Sequence, residues 1–241
     1  MATFVLVHGS MHGGWCWKRA VPLLRAAGHE VFAPTLTGLG ERVHLAHPGI
    51  DLDTHIQDVL GVLEYEDLHD VVLVGHSYAS LVITGVADRL PRRIAHLVYL
   101  DGPIAGEGQA LLDFFPPDGQ AARRARVEAE GEGWRLPPAD PTAFGITDAA
   151  DADWVRAKLV PQPFGTLTQP LRLANLAGFA GSKTFIACAG WRDAMIERVR
   201  AEGGWRYREL ATGHDAMITA PRELADLLLE TARATPTRPA P

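Results

Sequence analysis

Ser77 carries the strongest chemical signal in the chain. It lies in Val71-Val-Leu-Val-Gly75-His76-Ser77-Tyr78-Ala79-Ser80, where four β-prone apolar residues run into a glycine and a helix-like run starts directly after the serine. A serine at such a strand-to-helix turn, close to the pattern G-x-S-x-G, reads as a nucleophile elbow. The turn needs small residues two before and two after the serine because the two backbones nearly touch. Gly75 meets that demand, and Ala79 replaces the second glycine with one methyl. The bend projects the hydroxyl above the strand ends and puts the Tyr78 N–H at the helix's positive end, able to donate to a developing oxyanion. The plainer alternative is a serine that only caps its helix.

A serine hydroxyl needs a base within hydrogen-bond reach. Of ten histidines, His214 in Thr212-Gly213-His214-Asp215 stands just past the last strand-like segment, where hydrolases with the chain order Ser, acid, His deliver the base. His8, His12, His29, His44, His47, His55, His69 and His96 precede or lie far from that loop, and His76 belongs to the elbow. Two aspartates compete for the acid. Asp101 closes the segment Ile94–Leu100, and Asp193 follows the next strand, the commoner place. Both positions are carboxyl ends of strands, where catalytic groups collect in open α/β sheets. The choice leans narrowly to Asp193, with Asp101 the alternative and a capping role open to either; Asp215 is expected to point away. The turn His8-Gly-Ser-Met-His-Gly-Gly-Trp15 offers the second oxyanion amide, Ser10 first and Met11 next. His8 and His12 also have metal-ligand spacing, but the glycine between them discourages a helix and no third ligand is near, so no metal is expected. There is no H-E-x-x-H, paired C-x-x-C or P-loop, and Gly38-Leu39-Gly40 lacks a strand-to-helix context. No cofactor is implied.

These residues must be held by something. Phe4–Val7, Glu30–Ala33, Val71–Val74, Ile94–Leu100, Thr184–Ala187 and Arg206–Leu210 read as strands. Cys16–Ala27, 51–64, Tyr78–Leu90, 194–201 and Pro221–Ala232 have helical spacing. Alternating strands and helices predict a mostly parallel, doubly wound sheet covered on both faces. Residues 103–182 differ: Gly, Pro and Asp are frequent and only helical scraps appear, at Ala121–Glu130, Asp151–Leu159 and Pro170–Leu176. The stretch is too long for a plain loop, so it is read as an inserted cap or lid. The expected organisation is a core of 1–102 and 183–234, a cap of 103–182, and an unstructured proline-rich tail of 235–241.

The 241 residues are 47% hydrophobic and 22% charged, proportions that exclude disorder over most of the length. A net charge of −6 gives no basic footprint for nucleic acid. No secretory signal or apolar run long enough to span a membrane is seen, and two cysteines make no disulfide framework. A cytoplasmic protein acting on a small molecule is expected, with a homodimer left open. Only three of the 23 cationic side chains are lysines, and with abundant alanine this suggests a GC-rich bacterial source.

With these residues in view, the chain resembles the α/β-hydrolase superfamily over residues 4–232. More narrowly, Phe4-Val-Leu-Val-His8-Gly9, His12-Gly13-Gly14-Trp15-Cys16-Trp17 and Gly75-His76-Ser77 look like the plant methylesterase and hydroxynitrile lyase group and its bacterial relatives. The resemblance implies a catalytic triad beneath a small cap and cofactor-free ester hydrolysis, or carbon–carbon lyase chemistry, on small or aromatic substrates. The chain departs from that group in three places. The acid normally comes directly after the strand matching Thr184–Ala187, where Gly190-Trp191-Arg192 intervene before Asp193. The lyases of the group carry threonine where Gly9 stands and lysine where Asp215 stands, and an aspartate would oppose a leaving cyanide. Ala79-Ser80 replaces the usual Gly-Gly.

The sequence therefore predicts a serine esterase working through an acyl-enzyme on Ser77. Trp134, Trp154, Phe144, Phe164 and Met217 are candidates to line an apolar pocket, or simply to hold the cap together. The alternatives are a lyase or cyclase of secondary metabolism using His214 as general base, and a non-catalytic binding module.

Overall fold

The computed structural model describes residues 1–188 and 192–234. Six strands form one parallel sheet: β1 (Thr3–Val7), β2 (Glu30–Phe32), β3 (Val71–His76), β4 (Ile94–Leu100), β7 (Ser182–Ala187) and β8 (Trp205–Glu209), in the order β2-β1-β3-β4-β7-β8. The short β5 (Arg135–Leu136) and β6 (Gln162–Pro163) make a separate antiparallel ribbon. The reason for the central sheet is legible strand by strand. Val5, Val7, Leu73, Leu97, Tyr99 and Phe185 enter one apolar cluster, whereas Phe4, Leu6, Val72, Val74, Val98, Leu100 and Ile186 enter another. Alternate residues point to opposite faces of a strand, so apolar side chains at both parities require cover on both sides.

That cover is helical. α1 (Val21–Ala26) and α9 (Pro221–Arg233) contact each other on one face, and α2 (Leu52–Tyr65) and α3 (Ala79–Arg89) do so on the other. α2 starts with a reciprocal capping box between Asp51 and Thr54, and α3 stops just before Pro91. α7 (Arg192–Glu202) joins β7 to β8, and the short α8 (Ala216–Thr219) precedes α9. The expected helix over Cys16–Ala27 is in fact a 3-10 segment, Gly14–Arg19, followed by α1. Pro22 has no N–H to return to the preceding turn, so one continuous helix is broken there.

Between β4 and β7 the chain leaves the sheet for α4 (Pro117–Glu130), β5, α5 (Ala149–Arg156), β6 and α6 (Gly165–Thr168), with 3-10 turns between them. The expected helix over Pro170–Leu176 does not form; only Leu176 enters a 3-10 turn, Leu176–Gly178. The segment's amides are engaged elsewhere: Leu171 N–H on Gln109 C=O (2.9 Å), and Ala174 and Asn175 N–H on the Asp88 carboxylate (3.1 and 2.6 Å). The expected tail, 235–241, lies outside the described residues. No described helix is long and apolar enough to cross a membrane.

The strand order sets the site. After β1 the chain moves outward to β2 and then returns to β3 on the other side of β1. At such a reversal the loops leaving the carboxyl ends part and open a crevice. The glycine-rich turn after β1 and the serine turn after β3 flank it.

Candidate active site

Ser77 occupies the left-handed region, at φ 53°. A non-glycine residue there costs on the order of 1–3 kcal/mol and persists only where its surroundings fix it. They do: Ser77 N–H donates to Leu100 C=O (3.0 Å) and Ser77 C=O accepts from Ser80 N–H (3.0 Å). A Cβ on Gly75 would lie 2.6 Å from the Ala79 carbonyl oxygen, so the strand and helix pass too closely for any side chain there. Ala79 itself is fully buried and fits.

Asp101 stands beside this turn, one position beyond the register pair His76–Leu100. Its φ of 43° is again left-handed, a conformation aspartate tolerates better than most residues. Gly102 must follow, because a Cβ there would run into Ser80 Oγ and the Ser77 carbonyl. The Asp101 carboxylate is completely buried. Oδ1 accepts from Cys188 N–H (3.0 Å), and Oδ2 accepts from His214 Nδ1–H (2.7 Å). Asp101, not Asp193, is thus the partner of His214. Asp193 is exposed in the first turn of α7, a place where a carboxylate complements the helix's positive end.

His214 is held at three points. Nδ1 is on Asp101, its carbonyl accepts from His76 Nε2–H (3.0 Å), and Phe144 stacks on its ring with centroids 6.2 Å apart. Its Nε2 takes no hydrogen bond among the described residues and is partly exposed with the ring, as Ser77 is. Burial pushes His76 down to about 3, so it stays neutral, and its one proton is committed to the His214 carbonyl.

The oxyanion candidates separate. Among the described residues, the N–H groups of Ser10 and Tyr78 have no partner, whereas Met11 N–H is taken by Gln162 Oε1 (2.7 Å). Met11 is therefore a fixed part of the turn rather than a free donor. His8 supports Ser10 from behind. Its Nε2 accepts from Leu36 N–H (3.0 Å), which leaves Nδ1–H to donate to Gly9 C=O (2.8 Å). That carbonyl belongs to the peptide whose N–H is Ser10's, so the bond polarises the donor. Burial lowers His8 to about 3, keeping this tautomer neutral.

No group of three or more ligating side chains occurs among the described residues. His12 instead pairs with Asp215, which turns from His214 into the interior. Of the pocket candidates, only Phe144 touches His214. Trp154 packs edge-on against Trp15. Trp134 and Phe164 adjoin across the ribbon through the bond from Phe164 N–H to Trp134 C=O (2.8 Å). Met217, on α8, is fully buried in the apolar cluster beneath that helix. Gln162 is the residue that sequence reasoning missed, and no local signal marks it: it lies 151 positions from the amide it holds.

The parallel sheet, the strained serine at the reversal and the aspartate–histidine pair beside it define a class, and sequence comparison agrees. The chain belongs to the alpha/beta hydrolase family, whose model matches residues 4–227, and it is an esterase-type hydrolase. It is 39% identical over 243 residues to a carbendazim hydrolyzing esterase of Nocardioides sp. (strain SG-4G), covering 95% of this chain and 98% of that one. It is 28% identical over 258 residues to methylesterase 10 of Arabidopsis thaliana, covering 95% and 91%. Among solved structures, an extracellular alpha/beta-hydrolase from a Paenibacillus species, described as sharing structural and functional homology with tobacco salicylic acid binding protein 2, superimposes with a TM-score of 0.86. Its identity is 23%, with 95% of this chain and 98% of that chain covered, a likeness of fold.

Proposed function

We propose that the protein hydrolyses small carboxylic or carbamic esters with an aromatic part, through an acyl-enzyme on Ser77. The reading rests above all on the bond from His214 Nδ1 to the buried Asp101 carboxylate, 2.7 Å long, beside a serine held in a left-handed turn. With Nδ1 committed to Asp101, Nε2 is the basic nitrogen and takes the Ser77 proton as Oγ attacks the carbonyl carbon. The Ser10 and Tyr78 amides receive the oxyanion; each such donor is worth roughly 3 kcal/mol of barrier. His214 then returns the proton to the departing alkoxide. A water molecule, deprotonated by the same nitrogen, cleaves the acyl-enzyme and frees Ser77.

Residues 103–182 act as the cap that shapes the pocket, with the Phe144 ring stacked on His214. The 39% identical relative is named for hydrolysing carbendazim, an aromatic methyl carbamate, which motivates the carbamate half of the substrate class. The lyase alternative is disfavoured because the position after His214 holds Asp215, buried against His12, and so supplies no cation for a leaving cyanide. Two free, buried cysteines, Cys16 and Cys188, suit a reducing cytoplasm.

Incubation with a fluorophosphonate followed by peptide mass spectrometry tests the mechanism: Ser77 is labelled in the wild type and nothing is labelled in Ser77→Ala. An unlabelled Ser77 in folded protein would end the proposal. A panel of p-nitrophenyl acetate, methyl benzoate and carbendazim tests the substrate class.

A further inference from the structure

His12 is almost wholly buried, and its ring nitrogens face a backbone carbonyl and the Asp215 carboxylate, both acceptors while Asp215 is ionised. Nδ1 lies 2.7 Å from Ser10 C=O, and Nε2 lies 3.0 Å from Asp215 Oδ2. A neutral imidazole has one N–H and can satisfy only one of these. Two acceptors at hydrogen-bond distance call for a proton on each nitrogen. The surroundings fix the ring in that pose: Trp15 stacks on it at 5.3 Å between centroids, and Phe144 meets its edge at 5.4 Å.

The two bonds join the two loops that must act together. Ser10 belongs to the turn whose amide is free for the oxyanion, and Asp215 immediately follows His214. We propose that His12 and Asp215 form a buried imidazolium–carboxylate pair that clamps the oxyanion turn to the histidine loop, and are thereby positioning residues for ester hydrolysis. This rests on the esterase reading of Ser77 and His214 for its catalytic consequence, though not for the ionisation itself.

The other ionisable groups around the pair fit this assignment. Burial opposes the charged form of both partners and is outweighed in each. Against burial, the His12 ring at hydrogen-bond distance holds Asp215 below the usual carboxylate range, and Asp215 in turn raises His12. His8 and His76 are neutral, both lowered to about 3 chiefly by burial. The thiol of Cys16 is pushed up by burial and by Asp215, so it adds no charge. The Asp101 carboxylate is bonded instead to Cys188 N–H and His214 Nδ1–H. The cluster therefore carries one imidazolium bonded to the Ser10 carbonyl, one peptide unit from the oxyanion donor, where its charge favours negative charge developing on a bound carbonyl oxygen.

The test separates ionisation from catalysis. In wild-type protein labelled with 15N-histidine, and with His12→Gln used for assignment, two-bond 1H–15N correlation should show both His12 nitrogens protonated at pH 7. A single-proton pattern at pH 7 overturns the proposal whatever the activity. Asp215→Asn keeps a hydrogen-bonding group of the same shape: the amide it introduces can donate to a neutral His12 whose Nδ1–H still reaches Ser10. In that variant His12 should become singly protonated, and kcat for p-nitrophenyl acetate should fall about tenfold with KM within a factor of about two, a smaller loss than deleting an oxyanion donor outright. His12→Gln leaves Asp215 without its counter-ion and should move the acid limb of the kcat/KM profile to higher pH, a shift that a purely structural role does not produce. An unchanged kcat in both folded variants refutes the positioning role. A wild type that shows the imidazolium yet leaves Ser77 unlabelled by fluorophosphonate refutes the esterase mechanism and leaves the ion pair standing. Should either variant fail to fold, the wild-type spectrum still decides the ionisation.

Discussion

Asp101→Asn is the most informative single change, because the geometry says both what it keeps and what it destroys. The amide oxygen of the substituted side chain can still accept from Cys188 N–H, as Asp101 Oδ1 does at 3.0 Å, so the turn and the fold should survive. The other side-chain atom becomes an NH2 group facing His214 Nδ1, where the carboxylate now accepts at 2.7 Å. A donor there turns Nδ1 into an acceptor and moves the ring proton to Nε2, the nitrogen that has to take the proton of Ser77. The same substitution in a serine protease, which leaves geometry intact but selects the wrong tautomer, lowers kcat by about 10⁴. At 1.36 kcal/mol per decade that is about 5.4 kcal/mol of barrier. Initial rates with p-nitrophenyl acetate at pH 7.5 should show this loss while far-UV circular dichroism and the thermal midpoint stay near wild type. Asp193→Asn, on an exposed first-turn residue of α7, should keep kcat within about a factor of two, as surface changes away from special features usually do. If Asp101→Asn retained more than a tenth of wild-type kcat, or Asp193→Asn lost as much as Asp101→Asn should, the acid would be misassigned.

Three further outcomes follow from the same geometry. Gln162→Leu strips the acceptor from the buried Met11 N–H and should reduce kcat/KM by about tenfold and stability by about 1–3 kcal/mol, the cost of an unsatisfied buried donor; equal urea midpoints would contradict it. Gly75→Ala forces a Cβ to within 2.6 Å of the Ala79 carbonyl, and should lower stability by about 1–3 kcal/mol and abolish fluorophosphonate labelling, whereas full labelling would show a looser turn. Stability should also fall on acidification. His8 and His76 are lowered to about 3 and His55 to about 4, so the unfolded chain takes up protons near 6.5 that the folded chain refuses until pH 3–4. Each contributes about 2 kcal/mol of destabilisation at pH 5 relative to pH 7.5. His12, raised instead, contributes stability that is fully present at pH 5 and lost as pH rises through its folded value, so it tempers the effect without reversing it. Urea unfolding at the two pH values reads the difference.

The fold is legible where pattern and burial coincide. Val71–His76 is apolar or buried at every position and can only be a central strand covered on both faces, and the bounds Ile94–Leu100 read from sequence are those of β4. Where tertiary partners replace local hydrogen bonds, the pattern misleads. Pro170–Leu176 has helical spacing, but its amides are held by Asp88 and Gln109, residues far away in sequence. Pro22 breaks a helix whose apolar spacing gives no warning.

The site divides in the same way. Ser77 is visible because the elbow is a local object: a glycine two residues before it, a strand ending and a helix beginning, all within ten residues. The acid cannot be chosen by position, since Asp101 and Asp193 both follow sheet strands. What separates them is the dipeptide Asp101-Gly102. A left-handed aspartate followed by a residue that can bear no Cβ marks a backbone turned back against the elbow, whereas Asp193 opens a helix in the ordinary way. The reversal that carries the Asp101 carboxylate under His214 thus has a trace in sequence, but its meaning depends on β3 and β4 being neighbours, which spacing alone does not supply. The Gln162–Met11 and His12–Asp215 contacts leave no such trace. They join residues 151 and 203 positions apart, and each is required only because burial makes an unpaired polar group costly.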